Sequence, residues 1–286
     1  MENQKILSEH MNLHDTVKNN QSHGIWRKTQ IIGGYDLKKD ERGISFLGEK
    51  IFETTNMVPL IGVEYVMEQI YGVHSPITPP TLNAKMGIGS SATITPPSSE
   101  IYPNGHHVCL FGLGTGGAAE NNITALDEHY SVTNIPDMVP LRYTNDTLPA
   151  SEANKYYGKK AVDGTIAYYL KRFDSDVAIH NLYKNGEDDG DGSEVPSSYL
   201  DSDIVTGVET FAEAVFSISK KDLREWFTYL GNVDESRFNS VGLYSAVYDS
   251  AAKDYSQIQL FSYLNIPTEP MALLKDLTII YRVYGA

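Results

Sequence analysis

The 286-residue chain has one cysteine, Cys109, which excludes an internal disulfide and a multi-thiolate zinc site. Clustered positive charge is also missing. The densest basic clusters are the pairs Lys38-Lys39, Lys159-Lys160 and Lys171-Arg172, in a chain of net charge -14 from 37 acidic and 23 basic side chains. That balance repels a phosphate backbone, so no direct nucleic-acid binding is expected. No apolar run approaches the ~18 residues of a membrane span, so no membrane partner is expected either. The polar start, Met1 to His23, lacks the apolar segment of a signal peptide, and a cytosolic chain is the expectation.

Apolar residues at 41% and charged residues at 21% are ordinary globular usage, so the chain folds. Tyrosine is abundant, at 19 against 9 Phe and 2 Trp. Rings with a polar tip suit half-buried strands and subunit interfaces. Residues 1–25 carry little periodic pattern and read as an N-terminal arm. His10 and His14 within it have the spacing to share a helix face, but the HExxH arrangement is absent. Ile44 to Thr54 has room for a short strand. Pro59 to Tyr71 predicts a helix, with Leu60, Val63, Val66, Met67 and Ile70 on one stripe and Gly72 as the stop. Residues 75–103 hold Pro76, Pro79, Pro80, Pro96, Pro97 and Pro103 and predict a long extended loop, because proline breaks helices and sheet ladders alike.

His107 to Leu113 predicts a buried strand that ends at Gly114-Thr-Gly-Gly117. Gly112, Gly114 and Gly117 match the letters of the dinucleotide-binding fingerprint, but the amphipathic helix it requires does not follow, so a glycine-rich turn is expected. Met138 to Tyr143 and Thr165 to Phe173 predict further strands. Residues 184–198 form an acidic loop; aligned as a calcium loop, Pro196 falls where the bidentate Glu belongs. Val208 to Ile218 predicts a strand. Ser219 and Asp222 have capping-box spacing for a helix with Leu223, Trp226, Phe227 and Leu230 on its apolar face and Gly231 as its stop. Val241 to Tyr248 is a strand or a short helix. Leu277 to Tyr284 predicts a strand apolar on both faces, which must pair inside a sheet. The fold class expected is α+β: mainly antiparallel β-sheet with a few peripheral helices and long extended loops, residues 26–286 forming one domain or two joined lobes.

The chemistry expected is sparse. G-x-S-x-G, the Walker loop and the kinase set are absent. His106 and His107 with Asp127, Glu128 and His129 form the one cluster of metal character, yet adjacent strand residues face opposite ways. Cys109 has the apolar neighbours Val108, Leu110 and Phe111, which favour a buried strand thiol over a catalytic nucleophile beside His106 or His107. No catalytic, cofactor-binding or metal-binding residue is assigned, and no cofactor is expected.

Val208-Glu-Thr-Phe211, Ile218-Ser-Lys-Lys-Asp-Leu-Arg-Glu-Trp-Phe227, Arg237-Phe-Asn-Ser-Val-Gly-Leu243, Leu260-Phe-Ser-Tyr-Leu-Asn-Ile-Pro267 and Ile279-Ile-Tyr-Arg-Val-Tyr284 together resemble virion structural proteins of large tailed bacteriophages. Val108-Cys-Leu-Phe-Gly-Leu-Gly-Thr-Gly-Gly117 and Met138-Val-Pro-Leu-Arg142 fit the same pattern. The resemblance implies a neck, head-to-tail connector or tail completion protein that assembles into a ring. Its implied partners are copies of itself and portal, neck or tail proteins, in a virion assembled in the host cytoplasm. The family has no catalytic motif to carry over. Two alternatives are a capsid decoration protein and, in a different class, a metal-dependent hydrolase of host surface polymers using the His106 to His129 region.

Overall fold

The computed structural model describes residues 28–57, 81–82, 92–93, 106–117, 138–183, 208–270 and 275–285. These form a mainly antiparallel β protein with two short helices, the mainly-β form of the α+β class. The predicted arm at 1–25, the helix at Pro59 to Tyr71 and the acidic loop at 184–198 lie outside the described residues. Of the proline-rich stretch, only β3 (Thr81–Leu82) and β4 (Ala92–Thr93) are described, paired antiparallel.

The first sheet has the order β10 (Ala178–Tyr183), β11 (Val208–Ile218), β14 (Leu277–Tyr284), β1 (Lys28–Lys39), β2 (Ser45–Met57). β14 is therefore paired along both edges, as its two apolar faces require. The second sheet runs β13 (Asp254–Pro270), β12 (Arg237–Asp249), β5 (His107–Gly114), β9 (Thr165–Arg172), with β8 (Tyr156–Val162) completing a hairpin on β9. That hairpin closes through Asp163 and Gly164, both at positive φ, the conformation a two-residue turn needs to match strand twist. The sheets pack face to face around one apolar core. Phe111 of β5 stacks on Phe216 of β11 with centroids 4.1 Å apart, and Ser262 of β13 shares a 2.8 Å hydrogen bond with the Tyr281 hydroxyl of β14.

Two long hairpins bend back over the outer faces of the sandwich. In β1–β2, Gly33 lies opposite Phe52 and Gly34 opposite Lys50, so Ile51 is the extra residue of a bulge. Gly34 is required there, because a Cβ would collide with the Glu49 carbonyl oxygen. The bent tip lays Ile44 onto Phe211 and Tyr284, a small second core on the far side of the first sheet. In β12–β13 three register shifts bend the strands, and Tyr255 meets Tyr157 of β8 edge-on with centroids 4.7 Å apart.

Two expectations need correction. Met138 to Tyr143 is not one strand: β6 (Met138–Val139) pairs with β5, whereas β7 (Arg142–Thr144) pairs with β9. The break is at Pro140, which has no N–H to continue a ladder, and the segment fills the wedge where β5 and β9 diverge. Nor does a helix start at Ser219. After α1 (Ala150–Ala153), the second helix, α2, spans Arg224–Tyr229, entered through Leu223 at φ +66. Half of the capping box does form, since the Asp222 carboxylate accepts the Ser219 N–H at 2.7 Å. The chain then makes a tight turn in place of a helical one, and Leu230, expected on the apolar face, is exposed. Val241 to Tyr248, ambiguous by period, lies within β12, where strands on both sides decide the matter.

Candidate functional site

The polar chemistry of the fold is concentrated in two networks. The first lies between the sheets. Lys171 sits opposite Tyr156 and Phe111 in the ladder and points into the core. Its Nζ donates to the Asp222 carboxylate at 3.0 Å and to the Ser217 carbonyl at 2.6 Å, and the Tyr156 hydroxyl donates to the same carboxylate at 2.6 Å. The Ser217 contact also caps the edge of β11 beyond the end of β10, where the Asp174 N–H covers the Val215 carbonyl as well. Burial, with the Asp222 charge beside it, drives the Tyr156 hydroxyl far above the usual tyrosine range.

Next to this pair, Arg142 of β7 fans its guanidinium between Glu225 of α2 and Glu152 of α1, and Lys221 adds a second contact to Glu152. Glu225 also accepts the Tyr143 N–H at 3.0 Å, which fixes α2 against β7. Burial opposes charge on Glu152, but the Arg142 hydrogen bond and its cation outweigh that and hold the carboxyl below its ordinary range. The two cations and two carboxylates of this group balance. Its chemistry is that of a clamp on α2.

The second network holds the folded hairpin. Glu213 of β11, buried on the outer face of the first sheet, accepts the Ser45 N–H at 3.0 Å and Arg282 Nε at 3.0 Å. Arg282 also donates to the Ser45 carbonyl at 2.6 Å. In the crook between hairpin and sheet lies a cleft of about 260 Å³, lined by Ile32, Ser45, Phe46, Lys50, Glu53 and Arg282. Lys50 and Glu53 face one another across 2.5 Å, so the charges there are matched.

A larger cleft of about 430 Å³ opens beside Cys109, His107, Arg172, Phe173 and Asp176. Cys109 is buried, and burial pushes its thiol up to about 12. A nucleophilic thiol needs the opposite shift, so Cys109 is the strand thiol that its apolar neighbours implied. His106 is buried and His107 exposed, so the two rings diverge. Asp127, Glu128 and His129 lie outside the described residues. Among the described residues, no three His, Cys, Asp or Glu side chains converge on a metal position. No helix among them is long and apolar enough to cross a membrane.

The glycine run has a packing role. Gly112 lies in β5 facing Met138, and Gly117 presses on β12, its N–H donating to Asn239 Oδ1 at 2.6 Å. Gly112 and Gly114 are strand residues of β5, and the residues after Gly117, where the fingerprint's helix would run, lie outside the described residues. Sequence reasoning missed both polar networks, and the available signal was slight: a lone charge, Lys171, Glu213 or Arg282, inside an otherwise apolar strand.

Among the described residues, several large apolar side chains are exposed. On the bent hairpin, Leu37, Phe46 and Ile51 are each more than 40% exposed. The hairpin, residues 28–57, holds five basic and five acidic side chains, neutral within a chain of charge -14. Ile179 on β10 and the Tyr229-Leu230 end of α2 are exposed as well. Compared with known proteins, the chain matches no protein-family model, no curated protein and no solved structure.

Proposed function

We propose that the protein is a structural component of a tailed bacteriophage virion, a neck, head-to-tail connector or tail completion protein that packs against copies of itself in a ring and against neighbouring virion proteins. The observation that carries this reading is the bent β1–β2 hairpin. It presents Leu37, Phe46 and Ile51 to solvent along a ribbon of balanced charge, where acidic copies can approach one another with least repulsion. The sequence resemblance supplies the setting, and an aromatic-rich sandwich braced by internal ion pairs suits a protein that serves as a rigid block. The test is multi-angle light scattering and electron microscopy across a concentration series. The wild type is expected to form closed oligomers that Phe46→Asp with Ile51→Asp dissolves without unfolding the sandwich. A wild-type chain that stays at 31.8 kDa throughout and is missing from purified particles sinks the proposal.

A further inference from the structure

We infer that Lys171 and Asp222 are the two halves of an intramolecular isopeptide cross-link that joins the sheets. Their contact has what an amide-forming reaction needs. Lys171 Nζ lies 3.0 Å from Asp222 Oδ2, with side chains 5% and 0% exposed, so the reactants are held together and away from water. The carboxyl carries two aimed donors, the Tyr156 hydroxyl on Oδ1 at 2.6 Å and the Ser219 N–H on Oδ2 at 2.7 Å. The Tyr156 donor stabilises the charge that develops on Oδ1 under attack, and the Ser219 donor fixes the carboxyl's orientation. The Ser217 carbonyl, 2.6 Å from Nζ, anchors the amine beside the carboxyl. A fully buried ion pair adds little net stability over an apolar pair of the same size, so charge pairing alone is a weak reason for this arrangement.

The step balances without any further reagent. The ammonium passes one proton to Oδ2 along the 3.0 Å contact, and the freed lone pair attacks Cγ to form the C–N bond. Negative charge gathers on Oδ1 opposite the Tyr156 hydroxyl. A second proton then moves from the nitrogen to Oδ2, the Cγ–Oδ2 bond breaks, and one water leaves as the carbonyl re-forms. Nothing is oxidised or reduced. The product ties β9 of the second sheet to the turn after β11 of the first, 51 residues apart in sequence. The cross-link lies inside the sandwich and forms whether or not the chain assembles.

The experiment is intact mass spectrometry of the purified full chain, followed by peptide mapping. Loss of one water, about 18 Da, is expected, with a branched peptide that contains both Lys171 and Asp222. Lys171→Arg keeps the cation and should restore the full mass. Tyr156→Phe keeps the ring and should slow the mass change about tenfold or more. A wild-type chain at its full sequence mass with no branched peptide overturns the inference. So does a water deficit that persists in Lys171→Arg or maps to Asp163-Gly164, because an aspartyl imide loses the same mass. If Lys171→Arg fails to fold, the wild-type mass and peptide map decide alone.

Discussion

Replacing Glu213 by Gln should loosen the bent hairpin and cost about 3 kcal/mol of stability. The wild-type carboxylate accepts the Ser45 N–H and Arg282 Nε, both at 3.0 Å, in a site closed to water. Glutamine offers one acceptor and turns an NH2 toward the other donor. One charge-assisted hydrogen bond, worth about 1.5–3 kcal/mol, is lost, and a buried donor is left unmatched at about 1–3 kcal/mol. Arg282 keeps its bond to the Ser45 carbonyl, so the total falls below the sum of the upper limits. Urea unfolding followed by circular dichroism measures the loss. Hydrogen exchange at Ser45 should speed up while β14 amides stay slow. Arg282→Met should be similarly costly, and the double variant should fall short of the sum by at least about 1 kcal/mol. A single-variant loss under about 0.5 kcal/mol, or strict additivity, would refute the clamp.

Gly117→Ala should destabilise by about 3 kcal/mol, because the new Cβ meets the Asn239 carbonyl, which belongs to backbone and cannot turn aside; an unchanged urea midpoint would contradict the packing role. Tyr169→Phe should be neutral or stabilising by up to about 1 kcal/mol, since the Tyr169 hydroxyl is buried with no hydrogen-bond partner among the described residues; a clear loss in thermal melting would reveal a partner. Cys109 should resist thiol reagents in the native chain. Its pKa rises from 9.0 to about 12 on folding, mainly through burial, so its contribution is complete below pH 9.0 and lost as pH rises toward 12. Stability that is flat from pH 9 to 12, or labelling as fast as in urea, would contradict this.

Strands that alternate or run apolar between turn residues were readable in sequence: β5, β9, β11 and β14 fall where the pattern puts them, and the ends of β11 and β14 coincide with the expected ones. The strand expected within Ile44 to Thr54 is longer, 13 residues, because β1 supports it as a hairpin. Strands with mixed faces were not readable. β1 carries paired glycines and ends in lysines, β8 runs Tyr-Tyr-Gly-Lys-Lys before Ala161 and Val162, and β13 includes Pro267 and Pro270 near its end. Their strand character comes from partners elsewhere in the chain. The polar networks were hidden for the same reason. Arg282 meets Glu213 across 69 positions and Ser45 across 237, a separation no local pattern encodes. The break at Pro140 was legible in principle, because proline interrupts a ladder wherever its N–H is needed.

The account rests on the bent hairpin being a surface that other chains cover, and amide hydrogen exchange across Phe46 to Thr55 tests that most directly. The amides of this edge strand that point away from β1 should exchange quickly in the monomeric chain and be strongly protected in the purified particle, while β14 is slow in both. Equal exchange of the hairpin in the two states would contradict the claim.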